Sequence, residues 1–309
     1  VLRGPAARED ATWTADADGS SAYLFGGRDG QATFGDLWRF DLASDSWSRL
    51  RTSHGPSARF GHAAAWLDGV GLVVFGGQRG AELYADLWAF DPAAERWRRL
   101  PGRGQVPAAR YGTCAVVDER GRFVISHGFT FNGRFDDTRA YDVRRERWTA
   151  DSPAGRRPGE RCLHDCFLDA AGRLVLYGGQ DNGSRALGDL WRLDGGWARR
   201  DDPPPAARRL YAVAEAGSDA WVFGGAGRDD AVLGDLWRVD RETLAFERVR
   251  PDGTTPAARS SAMMVADPVR GRLLLLGGRD RRAFDDLWQL ADPVTPPMAT
   301  AIAPPSPAP

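Results

Sequence analysis

One unit of about fifty residues, written six times, is the feature that most limits what this chain can become. Its plainest copy runs from Pro56 to Leu100: Pro56-Ser-Ala-Arg59, a short apolar run, Val73-Val74-Phe75-Gly76-Gly77, a polar loop, Asp86-Leu87-Trp88, and then Trp97-Arg98-Arg99-Leu100. The arginine recurs as Arg8, Arg59, Arg110, Arg161, Arg208 and Arg259, at spacings of 51, 51, 51, 47 and 51 residues. The first glycine of the Gly-Gly pair falls at Gly26, Gly76, Gly178, Gly224 and Gly277, with His127 at that place in the third unit. The aspartate ahead of Leu-Trp is Asp36, Asp86, Asp189, Asp235 and Asp286, with Asp137 in the third unit. A late aromatic follows at Trp47, Trp97, Trp148, Trp197 and Phe246. Landmarks kept in register through six copies call for an architecture in which each unit packs on its neighbours.

Each unit supplies about four short strands, bounded by Gly, Pro or Asp. In the second unit they are Ala63-Ala64-Ala65-Trp66, Leu72-Val73-Val74-Phe75, Asp86 to Phe90, and Trp97 to Leu100. Such a unit cannot bury both faces alone, whereas a ring of units can. The Gly-Gly pair suits a strand end that turns with positive φ or passes close to another backbone. The 12 tryptophans suit wedges of apolar area between sheets.

On these elements the chain resembles the kelch-repeat superfamily, from residue 5 to about residue 290. The resemblance implies an all-β fold, a single six-bladed β-propeller of four-stranded kelch blades over residues 1–292. Residues 293–309 hold seven prolines and no periodic pattern, and read as a flexible tail. The sixth unit is incomplete, because no aromatic outer strand follows Asp286-Leu-Trp-Gln-Leu290. Counting back from Arg8 puts the missing strand just upstream of Val1. The expectation is therefore a last blade closed by the N-terminus, with Val1-Leu2-Arg3 as the remnant of that strand.

Composition bounds the function. A formal net charge of −1 gives no reason to expect nucleic acid or an anionic membrane surface. All 41 basic residues are arginine, which reads as a bias of composition and not as a device. No apolar run reaches the roughly 18 residues of a membrane span. No signal peptide is visible; the first methionine is Met263, so residue 1 is not the translation start and the compartment stays open. The three cysteines, Cys114, Cys162 and Cys166, have no repeated placement, and are expected to be small buried thiols.

By resemblance to kelch proteins that bind acidic peptides, Arg8, Arg59, Arg110, Arg161, Arg208 and Arg259 would ring the axis. Their face also collects the loops 28–35, 78–85, 129–136, 180–188, 226–234 and 279–285. Guanidiniums converging there would need carbonyls, carboxylates or an anionic ligand. A structural reading stands beside this one, in which each arginine bonds backbone carbonyls of the next blade.

The third unit departs from the chain's own pattern. It reads Ser126-His127-Gly128 and then Asp136-Asp137-Thr138, and the fourth unit opens with Arg161-Cys162-Leu163-His164. His127, Asp137, His164 and Cys162 make a candidate transition-metal set for iron, copper or zinc. Galactose-oxidase-like relatives use copper with two tyrosines and two histidines, but no tyrosine here adjoins a histidine and six units stand in place of seven. The reading carried forward is a monomeric binding module for a protein segment or small anionic ligand, with no cofactor expected. The alternative is a metal-dependent enzyme at the seam of blades three and four.

Overall fold

The apolar run that ends in Gly-Gly becomes the second strand of its sheet and is buried along its whole length. These strands are Ser21–Phe25, Gly71–Phe75, Phe123–Ser126, Leu174–Tyr177, Asp219–Ala226 and Arg272–Leu276. A strand covered on both faces reads as a near-continuous apolar stretch, the pattern the repeat displays. On one side lies the first strand: Thr12–Ala15, Ala63–Leu67, Cys114–Val117, Asp165–Leu168, Ala212–Ala216 and Met263–Asp267. On the other lies the third strand, which follows the repeated aspartate in five blades and contains Asp235 in blade five: Leu37–Asp41, Leu87–Asp91, Thr138–Asp142, Leu190–Leu193, Val232–Asp240 and Leu287–Ala291. The fourth is Ser46–Leu50, Arg96–Leu100, Arg147–Ala150, Trp197–Arg200, Phe246–Val249 and Met298–Ile302.

Each blade is therefore an antiparallel sheet of four strands in sequence order, and the structure is a six-bladed β-propeller. This computed structural model describes residues 4–200, 205–291 and 298–302, and contains no helix among them. In particular, no helix is long and apolar enough to cross a membrane. First strands of successive blades touch around a closed circle. Crowding at the axis explains the small side chains there, among them Ala63, Ala212 and Ala214.

Late aromatics fill the seams between blades. Trp97 of blade two packs on Phe25 of blade one with ring centroids 5.2 Å apart, and Trp148 of blade three on Phe75 of blade two at 5.3 Å. Fully burying such a ring contributes on the order of 3 kcal/mol.

Blade six corrects the expectation of an N-terminal closing strand. Its fourth strand is Met298–Ile302, paired with Leu287–Ala291. A five-residue stretch between prolines has enough extended character to cover an edge that would otherwise expose unpaired backbone. Residues 1–3, 292–297 and 303–309 lie outside the described residues, and with them the expected remnant Val1-Leu2-Arg3 and most of the expected tail. Blade six meets blade one through the contacts that join other blades. Trp13 and Phe40 share a core with Met263, Val265 and Leu274, and Arg272 reaches across to Asp45 and to the Leu42 carbonyl.

One end of the axis is tied by a ring of six backbone hydrogen bonds. Two residues after each repeated arginine, the N–H groups of Gly61, Gly112, Leu163, Leu210 and Ser261 donate to the carbonyls of Asp10, Gly61, Gly112, Leu163 and Leu210 at 2.7–2.9 Å; Asp10 N–H closes the circle on Ser261 at 3.3 Å. All six residues have left-handed φ, between 53° and 62°. Four of them are not glycine, a cost of about 1 kcal/mol each that the closed ring outweighs.

Candidate functional site

The six repeated arginines are 0–2% exposed, so they form no open cationic mouth. Each guanidinium makes the same bonds. Nε donates to the carbonyl two residues back at 2.9–3.2 Å. Nη1 donates to the carbonyl of the first Gly-Gly residue, or of His127 in blade three, at 2.8–3.0 Å. Nη1 and Nη2 also clamp the repeated aspartate at 2.5–3.2 Å.

Every one of these partners belongs to the arginine's own blade, which corrects the expectation of side-chain bonds to the next blade. It is the arginine's backbone that crosses the seam. Its carbonyl accepts from the second Gly-Gly residue of the preceding blade, and its N–H donates to that blade's loop. A Cβ on Gly76 would lie 2.7 Å from the Arg110 carbonyl, and Gly76 has φ of 69°. The Leu-Trp tryptophan completes the cluster, its indole N–H donating to the same aspartate at 2.6–2.7 Å in five blades. In blade three Arg139 replaces it, at 2.8 Å from Asp137. Burial pushes these aspartates up, but the guanidinium bonds and charge outweigh it and hold them below the usual carboxylate range.

Inside the ring the first strands enclose a bore of about 610 Å3. Asp16, Asp165 and Glu215 line it, and no arginine does among the described residues. Its charge is opposite to the anion-binding axis expected from the sequence. Asp165 accepts the Cys166 N–H at 2.8 Å, and burial pushes its carboxyl up to about 7. Ionising it above neutral pH costs about 2 kcal/mol after screening by solvent that reaches the bore. The native state binds this proton below about pH 7, whereas the unfolded chain does so only below about pH 4. Asp165→Asn is therefore expected to raise the unfolding free energy by about 2 kcal/mol at pH 8. The gain should fade toward pH 5; urea melts at both pH values measure it, and an equal gain at both would refute the shift.

The seam between blades three and four brings only part of the candidate metal set together. His127, buried and left-handed at φ 58° like the glycines it replaces, lies edge-on to His164 with ring centroids 5.5 Å apart. Its Nδ1 bonds the Ser126 hydroxyl at 2.7 Å, and His164 Nε2 bonds the Ser126 carbonyl at 3.1 Å. Asp137 is engaged instead by Arg110 and Arg139, and Cys162 receives the Arg134 Nε–H at 3.1 Å. No cluster of three or more candidate ligands occurs among the described residues. Burial, with nearby positive charge, pushes His127 well below the usual imidazole range and His164 to about 3, so both are neutral. His62, bonded to the Thr12 hydroxyl, is likewise pushed down to about 3 by burial. His62 and His164 bind protons only when unfolded between about pH 6.5 and 3, so their contribution to stability falls as the pH drops through that window, and that of His127 falls in the same direction.

At the same seam Cys114 and Cys166 form a disulfide, correcting the expectation of three free thiols. The two cysteines face each other from adjacent first strands with Cα atoms 5.8 Å apart, a proximity that one residue per blade conceals in the sequence. Cys162 remains free and buried.

The side chains that vary between blades gather at a rim beside the repeated arginines and the Gly-Gly pairs. Residues just after each arginine bridge to residues just after each Gly-Gly pair: Glu9 to Arg28, Phe60 to Gln78, Tyr111 to Phe129, Cys162 to Gln180, Arg209 to Ala226 and Ser260 to Arg279. Across blades two and three this makes an aromatic path. Phe60, Tyr111, Phe129 and Phe131 stand edge to face at centroid spacings of 6.2, 5.2 and 6.2 Å, and Phe131 is 56% exposed. Arg28 caps one end over Phe60 at 4.2 Å, and Arg134 lies over Phe129 at 5.3 Å. Across blades six and one the rim carries Arg279 and Arg28 on a buried Glu9, with Arg28 also paired to Asp10, and in blade five Arg209 pairs with Asp230.

Reading the repeat for its constants missed these residues. The signal was available in the positions beside the constants, where the units differ. A family model described as the KLHDC2/KLHL20/DRC7 Kelch-repeats domain matches the chain over residues 3–169 and 143–295.

Proposed function

The chain belongs to the kelch-repeat family, and from that premise we propose that it is a protein-interaction module whose rim receives an extended protein segment. Kelch propellers typically bind proteins, and the observation that carries the assignment to the rim is the aromatic path ending at exposed Phe131. Aromatic residues and arginine are the side chains most enriched at recognition surfaces. The rim offers an aromatic sector at blades two and three and, at blades five, six and one, a sector of arginines already ion-paired with Glu9, Asp10 and Asp230, whose guanidiniums an acidic group on a partner would share. A fitting segment pairs an apolar side chain with an acidic group a few residues away. The repeated arginines serve this site from below, by holding the blades whose loops carry it.

Selection of a random peptide library on the whole chain tests the reading. Enriched peptides are expected to combine an aliphatic or aromatic residue with Asp or Glu. Phe131→Ser and Arg279→Gln should each weaken them about tenfold or more, with the Arg279 effect shrinking at high salt. Peptides that bind both variants as well as the parent would place recognition elsewhere.

A further inference from the structure

The turn between the third and fourth strands is shorter in blade four than in the other blades that carry a late aromatic. The aromatic follows the repeated aspartate by 11 residues at Asp36 and Trp47, Asp86 and Trp97, Asp137 and Trp148, and Asp235 and Phe246, but by 8 at Asp189 and Trp197. The longer turn fills the foot of the seam with the preceding blade, at the end of the sheets opposite the Gly-Gly pairs. In blade five Leu244 is buried in one core with Phe167 and Val175 of blade four. Arg241 donates to the Leu168 and Asp169 carbonyls of that blade and pairs with Glu215 of its own at 2.8 Å. In the place of Arg241, blades one and three carry Leu42 and Val143, each packed into its seam. Blade four has Gly195 there, followed by Gly196 and the strand. A groove of about 450 Å3 opens at this foot, between blades three and four, and every residue lining it is described. Val116, Val124 and Leu193 line it where Phe167, Val175 and Val239 surround Leu244 at the neighbouring seam. Asp151 lines it in the register place of the aliphatic Leu50, Leu100 and Val249. Arg122 is shared by Asp118 and Asp151, and Arg173 by Asp169 and Asp194, so carboxylates outnumber the guanidiniums they hold.

We propose that this groove docks a turn of a partner protein that carries Arg or Lys with an aliphatic residue three positions later, in place of the turn blade four lacks. The spacing is that of Arg241 and Leu244, the pair with which the chain fills the same space one seam further on. The aliphatic side chain covers Val116, Val124 and Leu193, and its removal from water drives the docking. The cation reaches the partly exposed Asp151 and Asp194. Excess carboxylate on the walls repels an acidic segment, so the groove and the rim select opposite charges. The two sites lie at opposite ends of the sheets, and one propeller holds a segment at each.

A grafted chain, with residues 241–245 in place of Gly195-Gly196, restores the longer turn and closes the groove from within. Selection of a cyclic peptide library on the whole chain, counter-selected on the graft, tests the proposal; cyclisation holds the turn that a linear peptide would have to order. Enriched peptides should carry Arg or Lys with Leu, Ile or Val three residues later. They should bind the parent saturably at one equivalent and the graft at least tenfold more weakly. Asp151→Leu returns the aliphatic residue of the other blades and removes a carboxylate, and should weaken them about tenfold as well. If the graft does not fold, Asp151→Leu serves for the counter-selection. Peptides that bind the parent and the folded variants equally, or no enrichment at all, would overturn the site. Enrichment of acidic peptides, or of peptides without a basic residue, would overturn the chemistry assigned to the partner.

Discussion

Arg59→Leu is expected to lose about 3–5 kcal/mol of unfolding free energy at neutral pH. Arg59 is fully buried and clamps Asp86 while binding the Gly76 and Ser57 carbonyls. Leucine replaces the packing volume but leaves a partly buried carboxylate and two carbonyls without their donors. That penalty far exceeds the value of an exposed ion pair. Asp86→Asn should cost less, about 2–3 kcal/mol, because the amide keeps one acceptor for Arg59 and Trp88. The two changes together should cost less than their sum, by 1 kcal/mol or more, since they disable one cluster. The pH dependence has a definite sign. Asp86 is held below its usual range in the folded state, so its contribution is present above about pH 4 and is lost as the pH falls through the depressed value. The gap between parent and Asp86→Asn should therefore narrow in acid. Urea unfolding of the two single variants and the double variant measures all of this. A loss below 1 kcal/mol for Arg59→Leu would show that these clusters within the blades are not what stabilises the propeller. The same cluster recurs in each blade, so Arg208→Leu should behave alike.

The second large effect is covalent. Cys114 and Cys166 enclose a loop with a sequence separation of 52. Closing a loop of that length removes unfolded-state entropy worth about 4 kcal/mol at 25 °C. Reduction, or Cys114→Ala, should lower stability by about that amount, with the native fold retained at room temperature. The staple joins adjacent first strands at the axis, where the seam of blades three and four also departs most from the repeat. Thiol titration of the denatured, unreduced chain should find one group, Cys162, and after reduction three. Three thiols before reduction would remove the disulfide and the stability difference together.

Much of this molecule could be read from its repeat because each landmark meets a local demand. Gly76 stands where φ is positive and the Arg110 carbonyl approaches; Asp86 and Trp88 are two residues apart on one face of a strand, within hydrogen-bond reach. Period 2 and a bend at glycine are properties of a short stretch of chain, so they are written in short stretches of sequence. The arginines were legible as constants but not in their direction, since a guanidinium about 27 residues from its carboxylate finds it only once the sheet has formed. The partners of the candidate metal set were hidden for the same reason. Asp137 and Cys162 neighbour the two histidines in sequence, and in the fold Arg110, Arg139 and Arg134 bond to them.

By itself the sequence determined the period, the four-stranded blade, the number of blades and the positions where only glycine or a wedge aromatic is comfortable. Only the tertiary structure decided what depends on residues a blade apart. It set the left-handed turns at Leu163 and Leu210, the Cys114–Cys166 pairing, the raised carboxyl of Asp165, and a sixth outer strand that carries Ala299 where the other blades carry a ring. Closing six blades into a circle imposes distances and enclosure on each residue from outside its own unit, and no local pattern in the chain records them.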